Sequence, residues 1–311
     1  MDGYGHEGTI TRGASVQLRD IRKRLPLRVL SPEDWEHWTT WGYVIVRDAV
    51  PPDNIERLKS LLWEFQEMDP ADPTTWSQPQ LRQNQMAELN NTGMVEVYNH
   101  QYLWDNRQHE RVYGAFVDIW DREDLWVTID RANLNPPNLG QREFQSFIHW
   151  DVDTTAVPLP INVQGVLALT ATDPEVGGFQ CVPELFRDFE EWMRRQPGGR
   201  DPVHPDLTGL EVKFVAMQPG ELLIFNTLLA HGIRPNRSRD RVRMAQYMSM
   251  YPAGNDDSGT RDTRIRSWSE REHPRGYAFP GDPRDWEKTR YARAELNPLG
   301  RRLLGLELWD A

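Results

Sequence analysis

The sequence predicts a mainly β fold, a sandwich or jelly roll with helices at its flanks. Three observations lead there. From Leu125 onward the chain breaks into eight short apolar segments separated by Pro/Gly turns: Leu125–Leu134, Phe144–Val152, Val163–Thr170, Phe179–Val182, Val212–Met217, Glu221–Phe225, Leu229–Arg234 and Arg241–Tyr251. One helical pattern interrupts them, about Leu185–Arg195, with Phe186, Phe189, Trp192 and Met193 as its apolar stripe. Strands therefore do not alternate with helices as a parallel α/β sheet requires. Helical signals otherwise lie before Leu125 and after Pro252.

Residues 1–30 are polar and Gly-rich, then basic through Arg19, Arg22, Lys23 and Arg24, and are expected to form a flexible N-terminal arm. Structure begins at Ser31-Pro32-Glu33-Asp34, where a Ser N-cap, a Pro at the first helical position and first-turn acids start a helix. Trp35 and Trp38 share one face of it, Trp41-Gly42 ends it, and Tyr43–Val46 follows as a short buried strand. Asp53 is expected to cap a second helix, whose positions Ile55, Leu58, Leu61, Leu62 and Phe65 keep a helical period. A third helix is expected from about Asn106 to Trp120. Beyond Pro252 a polar loop leads to a helical C-terminus around Leu303, Leu304, Leu306 and Trp309. One domain, 31–311, accounts for the pattern: a helical part 31–124, a jelly-roll core 125–251 and a C-terminal helical extension 252–311.

The chain has 311 residues and a formal net charge of −11, from 36 basic and 47 acidic side chains. The 13 Trp, 9 Tyr and 10 Phe supply the apolar surface a globular core needs. An acidic balance argues against nucleic acid or an anionic membrane as partner, and suits a neutral or cationic small-molecule substrate. Cys181 is the single cysteine, so no internal disulfide or Cys-cluster metal site can form, and a reducing, cytoplasmic setting is expected. Met1–Gly13 lacks the apolar run of a secretory signal, and no segment approaches the ~20 apolar residues of a membrane span. A soluble monomer or homodimer follows as the expectation.

The 8 histidines can be taken in turn. His-x-Asp occurs twice, at His149-Trp150-Asp151 and His204-Pro205-Asp206. The second lies in a Pro/Gly-rich stretch unsuited to holding two ligands rigidly. The first lies in an expected strand, where residues i and i+2 share a face, so Gln145, Phe147, His149 and Asp151 would line one side. One imidazole and one carboxylate are two thirds of a facial triad, which leaves the open coordination positions that non-haem Fe(II) oxygenases use. His231 is the best third member, because it follows the turn and apolar strand Gln218-Pro219-Gly220-Glu221-Leu222-Leu223-Ile224-Phe225. His6, His37, His100, His109 and His273 have no comparable setting. Core packing is the expectation for Phe147, Trp150 and Tyr247, and Cys181 reads as a small buried hydrophobe.

These blocks resemble the phytanoyl-CoA dioxygenase family of Fe(II)/2-oxoglutarate oxygenases. The resemblance is carried by Ile148-His149-Trp150-Asp151, by Val166-Leu167-Ala168-Leu169 with Gly177-Gly178-Phe179-Gln180-Cys181-Val182-Pro183, by Pro219–Phe225, and by His231-Gly232 with Pro235-Asn236-Arg237-Ser238. Trp41–Val46 resembles the family's opening strand. The resemblance implies a double-stranded β-helix (jelly roll, cupin-like). It further implies His149, Asp151 and His231 as catalytic iron ligands, with 2-oxoglutarate and O2 as cosubstrates. It asks for a basic residue soon after the distal His to hold the far carboxylate of 2-oxoglutarate. A guanidinium suits that task because it pairs bidentately. Arg243 is the first choice, Arg241 the second, and Gln164 an additional cosubstrate contact.

Two departures shape the expectation. The chain reads Pro183-Glu184-Leu185-Phe186 where the family commonly has Pro-Gly-Ser-His, which suggests a helix starting there. Asp151 stands where halogenating relatives carry a small residue, which favours hydroxylation, desaturation, cyclisation or epoxidation. The expected activity is oxidation of an unactivated C–H bond of a small molecule, in secondary-metabolite tailoring, with release of succinate and CO2. The rival readings are a cupin-type metal-dependent isomerase or hydrolase, a metal-free small-molecule-binding jelly roll, and a protein hydroxylase.

Overall fold

The computed structural model describes residues 17–76, 93–138, 147–275 and 280–309. The helical start appears as expected. Helix α1 (Pro32–Trp41) carries a capping box, Ser31 Oγ accepting from Asp34 N while Asp34 accepts from Ser31 N. It ends at Gly42, whose φ of 79° closes the helix and turns the chain into strand β1 (Tyr43–Val46). Helix α2 (Pro52–Phe65) is capped by Pro51, not by Asp53. The fixed φ of Pro52 suits the first helical position, so the helix begins before the acid, which sits in its first turn.

The expected third helix is two, α3 (Gln101–Arg107) and α4 (Glu110–Trp120), each capped by a histidine. His100 Nδ1 accepts from Tyr102 N, and His109 Nδ1 from Arg111 N. The segment Leu125–Leu134 likewise divides into β3 (Leu125–Val127) and β4 (Ala132–Asn135), which enter different sheets. A short β2 (Met94–Val95) precedes α3.

The remaining strands are β5 (Val163–Ala168), β6 (Gly178–Cys181), β7 (Lys213–Phe214), β8 (Leu222–Asn226), β9 (His231–Arg234), β10 (Arg243–Tyr247) and β11 (Met250–Pro252). They form an antiparallel sheet of order β1-β8-β5-β10-β4-β2, a smaller sheet β7-β6-β9, and the pair β11-β3. The sheets do not close into a barrel. The large sheet is buried on both faces, and alternation along its strands assigns each side chain to one of them. Leu222 and Ile224 of β8 pack with α2 and α4 in one core, while Leu223 and Phe225 pack with Phe179 and Cys181 of β6 in the other. Flanking helices thus cover one face of a jelly roll, and the smaller sheet covers the opposite face.

Several expectations are corrected. Residues 144–152 do not make a strand among the described positions, and 144–146, like Gln145, lie outside them. The chain there gives its hydrogen bonds to a loop: Trp150 N donates to Val203 O and Thr154 N to Pro202 O. Leu185–Arg195 is two helices, α5 (Pro183–Arg187) and α6 (Phe189–Arg195), the first beginning at Pro183.

The polar stretch after Pro252 holds a 13-residue helix, α7 (Ser258–Glu270). It gave no apolar period because its buried side chains are Arg264 and Ser267. The Arg264 guanidinium donates to the carbonyls of Val127, Leu303 and Leu304. Helices α8 (Trp286–Arg290) and α9 (Pro298–Leu304) complete the extension. Buried Glu287 accepts from Tyr98 N and Asn99 N, both at 2.7 Å, and Gly281 N donates to Glu96. Among the described residues no helix is long and apolar enough to cross a membrane.

Residues 17–30 are packed against the fold instead of forming a loose arm. Leu18 and Leu30 are buried, and two carboxylates of the α4 end collect the segment's backbone amides. Asp118 accepts from Arg28, Val29 and Leu30 at 2.8–2.9 Å, and Asp121 from Arg24 and Leu25 at 2.9 Å. Although desolvation opposes it, those backbone bonds and Lys23 lower the Asp121 pKa to about 2. Asp118→Ala should lower stability by roughly 2–4 kcal/mol, as expected for losing a buried charged acceptor. Limited trypsin digestion is then expected to cut at Arg22–Arg24 faster than in the wild-type chain.

Burial lowers the His100 pKa to about 4, so the cap works as a neutral imidazole. The unfolded chain takes up this proton near pH 6.5, so the stabilisation is full above that pH and declines as pH falls towards 4, by about 3 kcal/mol. His100→Asn keeps a capping acceptor, and urea unfolding across pH 4–7 should show a flatter profile for it.

Candidate metal centre

Three ligand-type side chains meet between the sheets. His149 Nε2 lies 3.1 Å from one oxygen of Asp151, and His231 Nε2 lies 3.2 Å from the other. All three ligand atoms fall within 4.8 Å of one another. The two histidines are brought together by an isolated antiparallel bridge, His149 N donating to His231 O at 2.8 Å and His231 N to His149 O at 2.9 Å. His231 opens β9 and lies opposite Cys181 of β6. Burial pushes the Cys181 thiol up to about 12, so it stays protonated and inert.

Gly232 makes the bridge possible. A Cβ there would stand 2.1 Å from the Phe147 carbonyl oxygen, so only glycine lets the 147–149 chain run this close to β9.

The surroundings fix His231 more firmly than His149. Its Nδ1 lies 3.0 Å from the Leu229 carbonyl, which can only accept, so that nitrogen carries the proton and Nε2 presents a lone pair towards Asp151. Its ring stacks on Phe179 at 5.7 Å with a 13° tilt, and Phe225 approaches from β8 at 4.6 Å. His149 Nδ1 is buried without a hydrogen-bond partner.

The other expected residues divide. Gln164 turns its side-chain amide onto Asp151. Arg243 starts β10 and is buried on the same face as Ala245 and Tyr247, which pair with Ala168 and Val166 of β5. Its Nη2 donates to Asn135 at 3.3 Å once that amide is oriented to satisfy both its groups, and the Tyr247 phenol also contacts it. No carboxylate pairs with it among the described residues, and its Nε has no partner. Burial lowers its pKa.

Arg241 does not reach the centre. It is exposed and paired with Asp173 and Glu175, because β10 begins two residues later and the preceding turn directs its side chain outward.

The aromatics also divide. Trp150 is buried and donates to Leu228 O, as expected for a core residue. Phe147 is not core. It is 55% exposed, with its ring 4.9 Å from that of His149. His204 pairs at 3.0 Å with Asp201 instead of Asp206. Sequence reasoning missed Phe179, Phe225 and the Leu229 carbonyl as supports of His231, since apolar strand residues look the same whether they pack on a core or on an imidazole.

A jelly roll with two imidazoles and a carboxylate converging between its sheets is an arrangement that non-haem Fe(II) oxygenases use. The model of the phytanoyl-CoA dioxygenase (PhyH) family matches residues 38–245, more than half of the chain, and the chain belongs to that family. Ava biosynthesis cluster protein O of Aspergillus versicolor is 24% identical over 250 residues, which cover 70% of this chain and 79% of that protein. A Dictyostelium discoideum protein, named as a candidate phytanoyl-CoA dioxygenase, is 20% identical over 262 residues, covering 70% and 74%. Among solved structures, the GlcNAc-inducible gene 2 protein GIG2 of Candida albicans superposes with a TM-score of 0.60 at 14% identity, covering 89% of this chain and 76% of that one. This last likeness concerns the fold.

Gly232→Ala should force the His149 segment away from β9. A loss of about 1–3 kcal/mol, typical of overpacking, is expected in thermal unfolding. An unchanged melting temperature would show that the close approach is not needed.

Proposed function

We propose that this protein is an Fe(II)- and 2-oxoglutarate-dependent dioxygenase that oxidises an unactivated C–H bond of a small molecule in secondary-metabolite tailoring. The donor set fits ferrous iron. Two neutral imidazoles and one carboxylate supply three positions on one side and leave the opposite side open. Both Nε2 atoms face Asp151 at 3.1–3.2 Å, so the three groups are already gathered around one point. The observation that carries the cosubstrate is Arg243, a buried guanidinium without a carboxylate partner among the described residues, on the inward face of the large sheet. A buried charge left without a counter-charge is costly, and a dicarboxylate end would supply one through paired hydrogen bonds.

The residues divide the work. His149, Asp151 and His231 hold the metal, and Arg243 fixes the far carboxylate of 2-oxoglutarate. When bound, the iron and cosubstrate supply the oxidation, with 2-oxoglutarate released as succinate and CO2. Phe147, exposed beside His149, offers an apolar surface at which a substrate can be oriented. The formal charge of −11 favours a neutral or cationic substrate over a CoA thioester, whose phosphates would seek a basic entrance.

Anaerobic addition of Fe(II) and 2-oxoglutarate should give a weak visible charge-transfer band, absent in His149→Ala and Asp151→Ala. Arg243→Met should raise the 2-oxoglutarate concentration needed for the band roughly a hundredfold, the effect of removing one member of a buried ion pair. Succinate formation coupled to product in His149→Ala or Asp151→Ala would overturn the assignment.

A further inference from the structure

We infer that Gln164 is a positioning residue of the metal centre, whose amide N–H occupies one oxygen of Asp151 and leaves the other oxygen alone to bind the metal. The inference deepens the metal-dependent reading above and rests on it.

The two partners differ in how firmly their backbones are held. Asp151 stands in a bend outside any strand, so its own main chain does little to orient the carboxylate. Gln164 stands inside β5, paired with Phe225 of β8. Its neighbour Gly165 is wedged against the chain beyond β10. A Cβ on Gly165 would meet the Met248 carbonyl oxygen at 2.2 Å, Gly165 N donates to Ser249 Oγ at 3.2 Å, and Met248 N donates to Gly165 O at 3.0 Å. The amide therefore approaches from a fixed strand and restrains a carboxylate on a bend.

The same cross-strand pair touches two members of the cluster. Gln164 holds Asp151, while Phe225 packs its ring on His231. With the Leu229 carbonyl on His231 Nδ1, two of the three ligand groups have their orientation set from outside.

The chemistry follows from which oxygen is taken. Each carboxylate oxygen faces one imidazole, Oδ1 that of His149 at 3.1 Å and Oδ2 that of His231 at 3.2 Å, but only Oδ2 also accepts from Gln164 Nε2. An oxygen already accepting a hydrogen bond is the poorer donor to a cation, so Oδ1 is the ligand oxygen and the carboxylate stays monodentate. A bidentate Asp151 would occupy a further coordination position, one that a facial triad keeps for exchangeable ligands. The amide thus keeps a position open, and in doing so it is not available to the cosubstrate.

Gln164→Met preserves length and bulk but removes the donor. Calorimetric titration of the metal-free protein with Co(II) should show binding weakened roughly 10- to 100-fold, the usual effect of losing a group that orients a ligand. The Co(II) ligand-field spectrum should shift as the second oxygen joins. A purely structural role would lower the melting temperature of the metal-free variant without changing either readout.

Wild-type affinity and spectrum in Gln164→Met would overturn the inference while leaving the metal site standing. A wild-type protein that binds no Co(II) would overturn the metal site itself. Should the variant not fold, a crystal structure of Co(II)-loaded wild type decides. Gln164 Nε2 on the non-ligating oxygen of Asp151 is expected, and both oxygens on the metal, or Gln164 turned away, refutes it.

Discussion

The reciprocal hydrogen bonds between His149 and His231 are the constraint from which the centre is built. Two backbone bonds join a loop to the first residue of β9 and set the imidazoles 4.8 Å apart, centroid to centroid. Asp151 follows two residues later and meets both Nε2 atoms. Every other support acts on this arrangement: Phe179 and Phe225 hold one ring, the Leu229 carbonyl fixes its tautomer, and Gln164 reaches the carboxylate. The glycine at 232 is the steric condition for all of it.

The large sheet separates two jobs by the simple alternation of its strands. One face, with Leu222 and Ile224, is packed under helices and supplies burial. The other carries Phe225 and Gln164 onto the cluster, and alternation along β10 puts Arg243 on the same face. Supports of the cluster, Gln164 and Phe225, are thereby mounted on paired strands, one of them the fully buried β8.

Much of this was legible in the sequence. The His-x-Asp pair and the distal His231 were marked by their turn and strand signals, and the structure gathers those three side chains. The means of gathering them was not legible. A strand from 144 to 152 was expected from apolar alternation, yet the backbone there pairs with the 202–203 loop and, at one position, with β9. Arg241 and Arg243 are equivalent by residue type and spacing, and only the start of β10 separates an exposed ion pair from a buried guanidinium. Helix α7 gave no apolar signal because arginine and serine fill its inner side, bonded to carbonyls that no local pattern reveals. Basic residues in 17–30 suggested a loose segment, since the carboxylates that receive its amides lie some ninety residues away in α4 and its cap.

The C-terminal extension also reaches the chain beside the outermost strand of the large sheet. Strand β2 lies at the margin of the six-stranded sheet, and the chain leaving it, Glu96 to Asn99, is met by Gly281 and by the Glu287 carboxylate. A free margin is where one protein's strands can be extended by another's. Here the amides of Tyr98 and Asn99, just past that margin, are already taken by the Glu287 side chain of the same molecule. Among the described residues, the extension thus occupies backbone donors beside the outermost strand of the sheet.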